Sequence, residues 1–337
     1  MLTVGNLSLT AIKQFLNNHN LWKEINSLTK KLSIIVPCYF EEETIPLFYQ
    51  AVEKIKPLLP EIELEYWFIN DGSTDGTLAE MKKLNQKAPV HVHYASFSRN
   101  FGKEAALYCG LKNATGDYVT VMDADLQDPP DMLPEMFKYL AQGYDCVGTR
   151  RTTRSGEPPI RSFFAKLFYK LINKISDTKM VDGARDFRLM TRQMVDAVLE
   201  MSEYNRFSKG IFSWVGFNTK YLKYPNRERA AGQTSWSFWK LFTYSIDGII
   251  NFSQFPLDLA TFAGFISAFL SGIAIIFIIV RYIIHGGDPT TGWTSTICVI
   301  LFISGIQLMF LGIIGKYIGK IFTEVKKRPI YIIKEKK

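Results

Sequence analysis

No G-x-G-x-x-G follows the first apolar run of this sequence. Pro37-Cys38-Tyr39-Phe40 stands there instead, which removes the glycine turn a nicotinamide dinucleotide needs and argues against a dehydrogenase. Cysteine is scarce: Cys38, Cys109, Cys146 and Cys298 have no paired spacing, so neither a zinc site nor a disulfide framework is indicated. They read as small core or membrane residues. Histidine is equally sparse. His91 and His93 alternate on one strand with no third ligand at metal spacing, which favours a partly exposed strand face over a metal site. Met1 to Lys31 lacks the apolar core of a signal peptide. Its apolar positions Ile12, Phe15, Leu16, Leu21, Trp22, Ile25 and Leu28 suggest one or two amphipathic helices, whose contact with lipid, a partner or the rest of the chain stays open. No nucleic-acid motif accompanies the excess of 40 Lys+Arg over 32 Asp+Glu, so nucleic acid is not an expected partner. The excess suits either a face resting on anionic lipid or a solvated surface.

What the chain does have is apolar length. Leu257 to Ile284 is almost wholly apolar, with Asp258 at its start and Arg281 near its end, and Thr296 to Ile318 is apolar again around one Lys316. Each run exceeds the roughly 20 residues that cross a bilayer, so two in succession read as a membrane hairpin, with buried core helices as the alternative. The loop from His285 to Gly292 has no Lys or Arg, whereas Lys320, Lys326, Lys327, Arg328, Lys334, Lys336 and Lys337 follow the second run. By the positive-inside rule the tail, and everything before the first run, is expected in the cytoplasm, with the chain multi-pass in the cell membrane. Between Ser235 and Phe255, Trp236, Phe238, Trp239, Phe242 and Tyr244 with Lys240 suggest interfacial helices, or else a domain-packing face.

The first two thirds alternates strands and helices. Leu32 to Val36, Leu64 to Ile69, Val90 to Phe97 and Tyr118 to Met122 read as strands, separated by helical patterns at Ile45 to Ile55, Leu78 to Leu84 and Glu104 to Asn113. This predicts an α/β fold with a mostly parallel, Rossmann-like sheet. Right-handed crossovers place every strand's carboxyl end on one side. Tyr39 and Glu41, Asp71, Arg99 and Lys103, and Asp123 and Asp125 are then expected along a single crevice.

The fourth of these ends is the most chemical. Asp117 to Pro130, DYVTVMDADLQDPP, breaks from a buried strand into Asp123, Asp125 and Asp128. Two aspartates one residue apart supply hard oxygen ligands for Mg²⁺ or Mn²⁺, held jointly with the phosphates of a substrate. An acidic turn is the plain alternative.

Taken together, Pro37-Cys38-Tyr39-Phe40-Glu41-Glu42, Asn70-Asp71-Gly72-Ser73-Thr74-Asp75-Gly76-Thr77, Arg99-Asn100-Phe101-Gly102-Lys103 and Asp123-Ala124-Asp125-Leu126-Gln127-Asp128-Pro129-Pro130 resemble the successive motifs of family 2 glycosyltransferases of the GT-A fold. Within that family the chain resembles the polyprenyl-phosphate sugar transferases, namely bactoprenol glucosyltransferases and dolichyl-phosphate mannose synthases. The resemblance runs from about Leu32 to the C-terminus, because the two-span tail matches the bactoprenol branch. It implies that Pro37, Tyr39, Glu41 and Asp71 line the nucleotide pocket, that Lys103 lies near the donor phosphates, and that Asp123, Ala124 and Asp125 form the DxD segment with Gln127 as a further metal contact. Where the family carries asparagine after Tyr39, this chain has Phe40.

Downstream the resemblance continues. Gly148 to Arg154 looks like the family's acceptor loop, which implies that Arg150, Arg151 and Arg161 bind the lipid phosphate; guanidinium forks suit a phosphate monoester. Asp182 to Arg188 resembles a D-x-G-x-F-R-like segment, with Asp186 shaping the sugar pocket, and Arg206 to Gly210 resembles the bactoprenol branch, adding Arg206 to the nucleotide-sugar set. Arg229 to Thr234 resembles the segment that closes over the donor pyrophosphate, with Arg229 as its cation and Ser235 where lysine is frequent. The implied divisions are an N-terminal extension 1–31, a catalytic domain 32–232, juxtamembrane helices 233–256, a membrane hairpin 257–320 and a basic tail 321–337. The implied reaction is inverting transfer of a hexose, glucose by default with N-acetylglucosamine, mannose or another sugar as the alternative, from a nucleotide diphosphate sugar, UDP by default, to undecaprenyl phosphate, feeding cell-envelope glycosylation. The bactoprenol relatives further suggest a homotetramer. A processive polysaccharide synthase would carry Q-x-x-R-W and more spans, and neither occurs here. A degenerate membrane scaffold would not keep Lys103 with Asp123 and Asp125.

Overall fold

The computed structural model describes residues 30–151, 159–176, 178–225, 238–285 and 292–337. Most of the N-terminal extension, the 152–158 part of the acceptor loop, the Arg229 to Thr234 segment and most of the loop between the two apolar runs lie outside the described residues.

The chain begins with four β-α units. Strands β1 (Lys30–Cys38), β2 (Ile62–Asn70), β3 (Val92–Phe97) and β4 (Tyr118–Val121) alternate with helices α1 (Thr44–Ile55), α2 (Thr77–Lys87), α3 (Lys103–Asn113) and α4 (Leu133–Leu140). The strands are continuous apolar runs because both faces of the sheet are covered. On one face Phe48, Val52, Phe68 and Met81 pack together; on the other Ile35, Ile69, Ala106 and Met194 do so. Helix α3 lies close enough that a Cβ at Gly110 would sit 2.2 Å from Ile35 Cγ2, so only glycine permits this approach.

The second half departs from simple alternation. It supplies β5 (Cys146–Arg151), α5 (Pro159–Ile175), β6 (Ala184–Thr191), α6 (Arg192–Glu200), α7 (Ser208–Trp214) and β7 (Thr219–Tyr224). With β8 (Ile333–Lys336), the sheet has eight strands in the order β7-β5-β6-β4-β1-β2-β3-β8. The strands β4-β1-β2-β3 run parallel, β6 lies antiparallel between β4 and β5, and β7 is parallel to β5. One consequence positions the site. Because β6 is reversed, its amino end, at Ala184 and Arg185, lies at the edge where β4 and β5 have their carboxyl ends.

Helix α8 (Phe238–Phe252) leads into α9 (Phe255–His285) and α10 (Trp293–Val325). The last two are long and apolar enough to cross a membrane. They are not core helices: Phe265 is 73% exposed and Phe302 71%. The residues expected to form a basic tail do not simply trail away. Helix α10 continues to Val325, and Ile333–Lys336 forms β8, antiparallel to β3. Glu335 there accepts hydrogen bonds from Lys82 Nζ at 2.8 Å and Tyr94 Oη at 2.7 Å, and the Tyr331 ring stacks on Phe97.

Candidate active site

Seven strand ends meet at one edge of the sheet. The parallel strands bring Tyr39, Asp71, Lys103 and Asp123 there, as the alternation predicts, and the reversed β6 and neighbouring β5 and β7 add Asp186, Arg151 and Tyr224. At the centre, Lys103 Nζ lies 2.7 Å from Asp123 Oδ1 and 2.6 Å from Asp186 Oδ2. Burial alone would lower the Lys103 pKa, but the two carboxylates outweigh it and hold the ammonium charged well above its usual range. Burial likewise opposes ionisation of Asp186, yet Lys103 and Lys209 hold its carboxyl well below the carboxylate range. Lys103 and Asp186 are therefore both held in their charged forms at neutral pH.

A second layer stands behind Asp123. Arg185 reaches Asp123 Oδ2 at 3.9 Å and Asp128 Oδ1 at 3.3 Å, and Tyr224 Oη donates to Asp128 Oδ1 at 2.8 Å. Asp128 is fully buried and its Oδ2 has no hydrogen-bond partner among the described residues; burial raises its pKa, against the pull of Arg185. Arg185 and Tyr224 were not among the expected site residues. Arg185 had a signal, a second charge beside Asp186 in the same segment, whereas Tyr224 is brought in only by the pairing of β7 with β5.

The residues expected around the nucleotide divide into two groups. Tyr39 is 40% exposed at the mouth of the edge, and Pro37 and Glu41 flank it, with Glu41 Oε2 accepting from Thr44 Oγ1 at 2.5 Å. Asp71 behaves differently. It is buried, and its two oxygens accept backbone N–H bonds from Phe101 at 2.7 Å and Gly102 at 2.9 Å. Its carboxylate is committed to the turn that delivers Lys103. Gly72, at φ 71°, permits the close approach of that turn, since a Cβ there would lie 2.3 Å from the Arg99 carbonyl carbon.

Of the expected acceptor arginines, Arg150 and Arg151 end β5 at this edge. Arg151 Nη2 donates to Gln127 Oε1 at 3.0 Å, so the expected further metal contact already has a guanidinium partner. Arg161 lies in α5. Arg206, expected with the nucleotide-sugar set, makes its contacts elsewhere. Its guanidinium lies 4.5 Å over the Tyr108 ring and donates to the Met201 carbonyl, because the 201–207 loop carries it behind α3 toward α8 and α10.

Among the described residues no group of three or more His, Cys, Asp and Glu side chains could enclose a metal ion. The donor set still fits Mg²⁺ or Mn²⁺ held jointly with a diphosphate, which asks the protein for only one or two carboxylates. Asp123 is partly exposed, and Asp125, 4% exposed, has Oδ1 held by the Gln127 N–H at 3.1 Å, which fixes it beside Asp123. Hard oxygens held at a strand end, next to an ammonium, are an arrangement for binding and discharging a phosphorylated leaving group.

Comparison with known proteins agrees with this chemistry. Residues 33–199 match the family described as glycosyl transferase family 2. The chain is 45% identical over 304 residues to the Bacillus subtilis (strain 168) protein CsbB, covering 90% of this chain and 91% of that one. It is 42% identical to the bactoprenol glucosyl transferase of Shigella phage SfX, covering 91% of this chain and 100% of the relative. A prophage bactoprenol glucosyl transferase homolog of Escherichia coli (strain K12) is 43% identical, with 91% and 99% covered. Among solved structures, mannosyl-3-phosphoglycerate synthase from Rubrobacter xylanophilus matches at a TM-score of 0.47 and 16% identity, over 70% of this chain and 77% of that one. With relatives this similar over nearly their whole length, the chain belongs to glycosyl transferase family 2 and is a glycosyltransferase.

Proposed function

We propose that this transferase moves glucose from UDP-glucose to undecaprenyl phosphate at the cytoplasmic leaflet of the cell membrane. The observation that carries this reading is the Lys103–Asp123–Asp186 cluster in a chain whose two apolar helices leave from and return to the same sheet. Both ends of the hairpin then lie on one side of the bilayer, and the basic residues around Lys326 and Lys327 favour the cytoplasmic side. Full-length relatives named bactoprenol glucosyl transferase support the lipid acceptor and the sugar.

The reaction is a single in-line displacement. A phosphate oxygen of the acceptor attacks the anomeric carbon, the bond from that carbon to the diphosphate breaks, and its electron pair leaves on UDP. An α-linked donor thus gives a β-linked product. A phosphate monoester has a second pKa of about 6 and is largely dianionic at neutral pH, so no protein base is required. The chain supplies alignment and charge. Asp123 and Asp125 would hold Mg²⁺ or Mn²⁺, which when bound neutralises charge on the leaving diphosphate. Lys103 and Arg229 assist on the same group, Arg150, Arg151 and Arg161 hold the acceptor phosphate, and Asp186 fixes Lys103 while shaping the sugar pocket.

Thermal stabilisation of the detergent-solubilised chain by a panel of UDP- and GDP-sugars, with Mg²⁺ or Mn²⁺, tests the donor. UDP-glucose is expected to raise Tm most. A stronger response to a GDP-sugar or to UDP-N-acetylglucosamine would overturn the assignment of donor.

A further inference from the structure

The cytoplasmic end of the second span is wired to the catalytic lysine. Glu324, in the last turn of α10, accepts backbone N–H bonds from Tyr204 at 3.1 Å and Asn205 at 3.0 Å, and a side-chain bond from Asn205 Nδ2 at 3.1 Å. Asn205 Nδ2 also reaches Thr323 Oγ1 at 2.7 Å, and the Asn205 carbonyl accepts from Asn251 Nδ2 of α8 at 2.7 Å. Lys320 completes the junction, 2.9 Å from Asn251 Oδ1 and 3.2 Å from Asp247. Three residues further along the same loop, Ser208 N donates to both oxygens of Glu104, at 3.2 and 3.1 Å, and its hydroxyl bonds Glu104 Oε2. Glu104 is the neighbour of Lys103 in the first turn of α3.

We propose that Glu324 is a positioning residue: by fixing loop 203–208 against both membrane-proximal helices, it sets Lys103, through Ser208 and Glu104, at the height of a membrane-held acceptor. This rests on the lipid-acceptor reading above. The physical reason is that one carboxylate collecting three N–H donors at a helix end ties a loop to a rigid rod. The rod is fixed in depth by the bilayer, so the loop transmits that depth to α3. The junction also borders a cavity of about 200 Å³ lined by Glu104, Asn205, Arg206, Asp247, Asn251 and Lys320, and beside it Phe207 packs against Ile249 and Phe252 of α8, so these hydrogen bonds fix the spacing together with that apolar contact.

The test compares full-length wild type, Glu324→Ala and Glu324→Gln with two acceptors: undecaprenyl phosphate in phospholipid vesicles, and a short-chain prenyl phosphate soluble in water. Glu324→Ala is expected to lower kcat/KM for the vesicle acceptor about tenfold, as misplacement of a catalytic group does, and for the soluble acceptor by less than about twofold. Glu324→Gln, which keeps one carbonyl acceptor, recovers most of the loss. Amide hydrogen exchange supplies a readout independent of turnover: Glu324→Ala speeds exchange in peptides covering 203–208 and 101–106 and leaves β1 and β2 unchanged. Equal loss with both acceptors, or unchanged exchange at 101–106, would overturn the proposal. If wild type transfers sugar to neither acceptor, the lipid-acceptor reading fails, and the exchange experiment alone decides whether the coupling exists.

Discussion

Lys103 joins two carboxylates of the site through one ammonium. It separates Asp123 from Asp186, at 2.7 and 2.6 Å, and in the proposed reaction it assists the leaving diphosphate. Replacing it by methionine keeps the apolar stem but leaves two carboxylates facing each other and the diphosphate without its ammonium. Steady-state kinetics on Lys103→Met should show kcat reduced by about 10²–10³ with Tm still measurable; a loss under about threefold would remove Lys103 from the mechanism. Phe40 illustrates a different residue-level effect. It adopts φ 59° and is 47% exposed, so a bulky side chain sits in left-handed backbone with little burial in return. Asparagine, the family's residue there, takes that conformation more readily. Phe40→Asn should therefore raise stability by about 1 kcal/mol, read as a higher Tm. An unchanged or lower Tm would mean that the edge contact of its ring with Tyr39, 4.5 Å between centroids, matters more.

At the scale of elements, the parallel core depends on a buried carboxylate. Glu65 in β2 accepts from Ser33 of β1 and, in the α3–β4 turn, from Thr115 N at 3.0 Å and Thr115 Oγ1 at 2.6 Å. Lys31 and His93 face the same carboxylate at 4.0 and 3.9 Å. Burial pushes the Glu65 pKa up, but these hydrogen bonds and Lys31 bring it below the ordinary value. A depressed folded pKa contributes stability that is complete above the unfolded value of about 4.3 and is lost as pH falls through the folded one. Glu65→Gln, which loses one acceptor, should cost about 1–3 kcal/mol at pH 7. The Tm gap from wild type should hold from pH 7 to 5 and shrink below about 4; a gap that widens on acidification would contradict this account. The elements themselves were unevenly legible. Four apolar runs ending in polar groups announced β1 to β4, because strands covered on both faces need no alternation to be recognised. The reversal of β6 was hidden, since nothing in Ala184–Thr191 encodes strand direction, and with it the arrival of Arg185 beside Asp123. Asp71 was legible as a strand-end carboxylate but its bonds to the Phe101 and Gly102 N–H groups were not, because sequence places a carboxylate at a strand end without saying which N–H groups it will meet.

For the whole molecule, two helices long and apolar enough to cross a membrane could be read from the length of the apolar runs, but not the return of the chain into the sheet. Ile333–Lys336 is four residues, half of them lysine, inside a run of positive charge that reads as a solvated tail. Its pairing with β3 covers an edge that would otherwise be open to other strands. The surroundings of Arg206 were hidden for a related reason: a resemblance of the 206–210 segment gives no direction, and the fold turns Arg206 toward α8 and α10. The assembled picture is a sheet edge bearing Lys103, Asp123, Asp125 and Asp186, held to α8 and α10 by loop 203–208, with β8 returning the chain after α10 to the sheet. Its central claim is sugar transfer from a nucleotide to a polyprenyl phosphate. The most direct measurement is the passage of radiolabel from UDP-glucose to undecaprenyl phosphate in detergent, with Mg²⁺ or Mn²⁺, by wild type and Asp125→Ala. The account predicts label in the lipid phase that requires the metal and is lost in the variant. No lipid-phase label from UDP-glucose or any other UDP- or GDP-sugar, with protein shown to be folded, would contradict it.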